Sequence, residues 1–163
     1  MPLEFSVLSD DEKQLMYDAI PLITILVAGA DGNMDEKELE WAEKITKIRS
    51  FDYHNVLNPY YQLVGEHFST RLQHFNTSLA EGTEARQEAI SEKLSAINGI
   101  FGKLETDRAK LYYESFRSFG EHVAKASGGF LRFMSVSSAE AAVKDLPMLT
   151  EPIVEEGNSE END

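Results

Sequence analysis

The chain has no cysteine, which excludes a disulfide framework, a thiolate zinc site and a cysteine nucleophile. Long apolar runs are also missing. The longest nearly apolar stretch, Ile20 to Ala30, is about half a membrane span, and Met1 to Asp10 lacks the basic start and apolar stretch of a secretory leader. A cytoplasmic protein without membrane insertion is therefore expected. Bases are scarce: 15 Lys and Arg face 29 Asp and Glu, giving a net charge of −14. No basic stripe is present to track a phosphate backbone, so nucleic acid is not an expected partner. Cations or basic protein surfaces suit such a chain better. The recognisable catalytic motifs are absent as well: no nucleophile elbow, Walker loop, dinucleotide fingerprint or HExxH pair occurs. No enzyme reaction is expected.

What the chain does have is the composition of a folded domain. Its 163 residues can bury a core without staples, and 42% hydrophobic with 27% charged residues is ordinary for globular proteins. Apolar residues recur with a helical period, and no stretch alternates as a strand would. A first helix is predicted from Ser9, whose spacing to Glu12 is that of a capping box, with Leu15, Met16, Ala19, Ile23, Leu26, Val27 and Ala30 on one face. Pro21 should kink or split it, and Gly32 should cap it. Asp35 and Glu38 form a second capping-box pattern, opening a helix to about Arg49 with Leu39, Ala42, Ile45 and Ile48 inward.

A long helix is expected from about Val56 to Leu79, and Glu81-Gly82 separates it from another running from Thr83 to about Leu104. The short connection predicts that these two form an antiparallel hairpin. Thr106 or Asp107 starts a fifth helix ending at Gly128-Gly129, and a sixth is expected from Ser137 to Pro147. The segments Val27-Ala-Gly-Ala-Asp-Gly32 and Val123-Ala-Lys-Ala-Ser-Gly128 match at Val, both Ala and Gly, and each precedes a second capping-box pattern. The expected fold is thus all-α: about six helices over residues 1–150, with two pseudo-repeated helix–loop–helix units flanking a central hairpin. The tail, 151–163, has six acids and no base and reads as disordered. The remaining 23 acids against 15 bases keep the folded part acidic too.

At Ala30-Asp31-Gly32 through Glu38 the sequence resembles the TerB-like family, named for bacterial tellurite-resistance proteins. In that family an all-helical domain carries an Ala-Asp-Gly segment followed by an acidic helix start. The resemblance implies a cytoplasmic bacterial protein, non-enzymatic, linked to stress or tellurite response and binding a metal cation through acidic residues. The second unit follows the family's two-part layout, although Ser127 stands where the first has Asp31. That departure argues against a two-loop metal site.

The loop acids also have a chemistry of their own. Asp31, Asp35, Glu36 and Glu38 cluster beside the C-terminal carbonyls of the first helix, and hard cations take such oxygens. Asp31, Gly32, Met34, Asp35 and Glu38 fall at positions five, six, eight, nine and twelve of a calcium EF-hand loop, but Val27 and Gly29 occupy positions one and three. A true EF-hand is not expected. Two readings remain: Asp31, Asp35 and Glu38 hold a divalent cation, calcium or magnesium rather than zinc, or Asp35 and Glu38 only cap a helix. The first makes the chain a binding protein acting through protein partners. The second makes it a helical scaffold or homo-oligomerisation module, and a metal-activated hydrolase at the same loop is a third.

His67, Arg71 and His74 share a helical face but have no carboxylate at matching spacing, so they read as a polar flank. The residues three before each histidine are Phe51, Val64, Arg71 and Phe119, which excludes the Glu-x-x-His pairs of a di-iron bundle. Ser127-Gly128-Gly129 follows a helix and reads as a cap, not a phosphate loop. Tyr60, Tyr61, Phe68, Phe116 and Phe119 are at core spacing.

Overall fold

Ser9 opens the first long helix with the box that its spacing predicts: Glu12 N–H donates to Ser9 Oγ at 3.2 Å, and Ser9 N–H to Glu12 Oε1 at 2.9 Å. In the computed structural model, which describes residues 1–30, 34, 36–52, 54–126 and 143–153, a 3₁₀ turn at Leu3–Val7 precedes this helix, α1 (Asp10–Ala28). There follow α2 (Glu36–Phe51), α3 (Asn58–Ser78), α4 (Thr83–Ser95), α5 (Ile97–Phe101) and α6 (Thr106–Ala126). The fold is all-α among the described residues. No described helix is long and apolar enough to cross a membrane.

Of the two outcomes expected at Pro21, a kink or a split, the split does not occur: α1 runs through it. Every residue from Asp18 to Ala28 is buried, and α2, α3, α4, α5 and α6 all touch this helix. Packing on all sides outweighs the one main-chain bond that proline removes. Thr24 Oγ1, buried in the same stretch, donates to Ile20 O at 2.8 Å, so its hydroxyl needs no partner outside the helix. The helix also ends earlier than predicted: Gly29 is its cap, and Gly32 lies outside the described residues.

The expected hairpin of the third and fourth helices is not the main packing unit. α3 lies chiefly against α2 and α1, and α4 against α1. Both faces of α3 are used. Tyr60 Oη donates to Met16 O of α1 at 2.5 Å, while Asn58, buried at the start of α3, donates to the Arg49 carbonyl at 3.3 Å and to the Ser50 carbonyl. Arg86 of α4 closes the other end, donating from Nη2 to Asn76 O at 2.9 Å and from Nε to Ala80 O at 3.2 Å. Gly82, at φ +96°, makes the turn between them in a backbone region that favours glycine.

The predicted fourth helix is interrupted at Ala96, giving α4 and the short α5. Ala96 N–H bonds to Lys93 O and Gly99 N–H to Ala96 O, the tighter i to i+3 pattern. Two apolar positions also differ from expectation: Ile48 is 55% exposed, and Val56 precedes α3 and is 57% exposed. α6 starts where predicted, with Tyr112, Phe116, Phe119 and Val123 buried, and its predicted stop at Gly128-Gly129 lies outside the described residues. The five aromatics expected in the core are all there, with Phe5 and Tyr112 joining Tyr60 in edge contacts. Most of the predicted sixth helix and of the second repeat unit lies outside the described residues. From Val143 the chain turns, burying Leu146 and Leu149. Asn98 pins that segment, donating to Met148 O at 3.0 Å and accepting from Thr150 N–H at 2.8 Å.

Candidate functional site

The loop that carries the predicted cation ligands joins the end of α1 to the start of α2. Asp31 and Asp35 lie outside the described residues. Glu38, the third, sits in the first turn of α2 and is 1% exposed. A carboxylate so deeply covered needs compensation by hydrogen bonds or positive charge. Met34 and Leu39 pack on the core at either side of it in sequence, which explains why this turn is held inward. Glu36, two residues earlier and so on nearly the opposite side of the helix, is exposed.

The main-chain oxygens at the end of α1 are less open than the sequence suggested. Ile25 O accepts from Gly29 N–H at 2.9 Å, Val27 O from Ala30 N–H at 3.3 Å, and Ala30 O from the Gln87 side chain of α4 at 3.3 Å. Each carbonyl still has a second lone pair. A hard cation takes six to eight oxygens, of which Glu38 supplies at most two; its charge and oxygen chemistry fit calcium or magnesium. The remaining ligands would come from Asp31, Asp35 and the loop main chain. Among the described residues no group of three His, Asp or Glu is arranged to hold a metal ion.

The other polar constellation divides in three. His67 is exposed, 4.0 Å from Glu66, and His74 is exposed against the Phe75 ring. Arg71 instead turns to α1: its Nε donates to Asp18 Oδ1 at 2.7 Å and its Nη2 to Oδ2 at 2.8 Å. Asp18 is 5% exposed and also accepts from Gln14 Nε2 at 3.0 Å. The Asp18 hydrogen bond, and then its charge, raise the Arg71 pKa above its usual value, securing the cation. The sequence reading missed Asp18, although an acid amid Met16, Ala19, Ile20 and Leu22 was the available signal.

No family model matches the chain, and no curated protein or solved structure matches it either.

Proposed function

We propose that this chain is a non-enzymatic, TerB-like helical protein that binds a divalent cation, calcium or magnesium, through Asp31, Asp35 and Glu38. It acts through protein partners in a bacterial stress or tellurite response. The observation that carries this reading is the burial of Glu38 at the head of α2. Hard cations take carboxylate oxygens, and the neighbouring loop adds two more acids to this one. The resemblance at Ala30-Asp31-Gly32 supplies the family and the response.

One rival has an observation of its own. The Ser9–Glu12 box on α1 shows this chain building a capping box from the same spacing, and Asp35–Glu38 can be a second, in a metal-free scaffold. Calorimetric titration of metal-free protein with calcium, magnesium, manganese and zinc separates the two. Saturable binding of a hard cation, lost in the Asp31→Asn, Glu38→Gln variant, is expected. Equal heats in both proteins, or none, would leave the two acids as caps.

A further inference from the structure

Away from that loop, α1 and α3, with Met1 at the rim, line a partly open cavity of about 390 Å³, within the size range of small-molecule sites. Its walls are apolar, formed by Tyr17, Pro21, Leu63 and Val64, and its polar side holds Arg71 and His67, one turn apart on α3. In a chain with 29 acids, no acid lines it. The only charge of fixed sign among these side chains is positive.

Arg71 is also held in a defined plane. Asp18 grips it side-on through Nε and Nη2, Gln14 steadies Asp18, and the Phe75 ring lies 5.0 Å from the guanidinium carbon. A guanidinium has five N–H groups, and this grip uses one on Nε and one on Nη2. Nη1 makes no hydrogen bond to the described residues. The outer edge, one N–H from each Nη, therefore keeps the fork that matches a carboxylate in two parallel bonds. Because Asp18 is buried and engaged, it fixes the fork's position, and ligand binding need not first order a long side chain.

We infer that the α1–α3 cavity binds a small amphipathic monocarboxylate, its apolar body between Pro21 and Val64 and its head on the outer edge of Arg71, with His67 as a second donor. This site is independent of the cation loop. Occupancy needs no metal, so either reading can fail alone.

The test is an NMR titration of metal-free protein with octanoate, 1-octanol and octylamine, which share a chain and differ in the head. Octanoate should saturate, shift the amides around Leu63 and Val64, and bind at least about tenfold more tightly than octanol, the difference that one charge-assisted pair supplies. Octylamine should bind more weakly still. Leu63→Trp, at a half-buried position on the wall, fills the cavity and should abolish binding while leaving the helical circular dichroism unchanged. Arg71→Lys keeps the charge without the fork and should cost about tenfold; if it unfolds, the octanol and Leu63→Trp comparisons still decide. Equal binding of octanoate and octanol, octanoate binding that survives Leu63→Trp, or no saturable octanoate binding would each overturn the proposal.

Discussion

Arg49 donates from Nη1 to the Tyr61 hydroxyl at 2.7 Å, with its guanidinium carbon 5.2 Å from the centre of the same ring. Nη1 also lies 3.1 Å from both Ser115 O and Ser115 Oγ, and Nη2 lies 3.1 Å from Ser118 Oγ. One side chain of α2 thus ties α3 to α6. Among the described residues no carboxylate is within ion-pair distance of it, so the cation is held by hydroxyls, a carbonyl and two aromatic faces.

Arg49→Met keeps the apolar stem and removes every donor. Hydrogen bonds from charged groups contribute about 1.5–3 kcal/mol, and Tyr61 and Ser115 remain bonded to each other. We expect a loss of about 2 kcal/mol, seen as a lower urea midpoint at unchanged slope. A loss under about 0.5 kcal/mol, the range of ordinary surface changes, would show that Arg49 does not clamp the three helices.

Asp18→Asn strands the Arg71 charge against an apolar helix. Breaking a fully buried pair costs about 3–5 kcal/mol, but the Arg71 side chain is 29% exposed and can hydrate. A loss of about 2 kcal/mol is therefore expected, and the Asp18→Asn, Arg71→Met double variant should recover part of it. Equal stability of single and double variants would refute the stranded-charge account.

Alkaline pH should unfold the protein through its tyrosines. Burial pushes the Tyr60 hydroxyl well above its usual value of 10.0. Burial first, and then the Glu4 carboxylate that accepts its hydrogen bond at 2.8 Å, push Tyr112 up as well. A folded pKa above the unfolded one gives a contribution that is complete below about pH 10 and is lost as pH rises beyond it. Urea midpoints should fall only above that pH, in step with tyrosinate absorbance. The Tyr60→Phe, Tyr112→Phe variant should show a shallower fall, and an unchanged slope would remove these residues from the account.

Two glycines make opposite predictions. A Cβ at Gly120 would meet Lys144 O at 2.7 Å, where α6 receives the returning segment, and Gly120→Ala should cost about 1–3 kcal/mol as an overpacked contact. At Gly99, in α5, nothing lies within 4 Å. Gly99→Ala should stabilise by about 0.5–1 kcal/mol through helix propensity and a less flexible unfolded chain. Thermal melts of the two variants should move in opposite directions.

Local rules were readable from the sequence, and they account for what was read correctly. The Ser9–Glu12 box, the start of α6 and the inward aromatics follow from spacings of three to seven residues. Contacts between distant residues were not readable. Asp18 and Arg71 are 53 positions apart, Arg49 and Ser115 are 66 apart, and no periodicity announces either pair. That α1 runs unsplit through Pro21 was hidden for the same reason: the local cost of proline is visible in sequence, and the helices surrounding it are not. Of the predicted cation ligands only Glu38 lies among the described residues, and nothing in its helix-start spacing announced its burial.

The buried stretch of α1, Asp18–Ala28, also has a consequence for how the chain is made. It leaves the ribosome before every helix that covers it, and α6, which completes its surroundings, emerges only by residue 126. At about 5–20 residues per second, this apolar segment stays unsheltered for about 5–20 seconds. During that interval the nascent chain is a substrate for chaperones that hold apolar segments, and delayed synthesis of α6 should prolong their association.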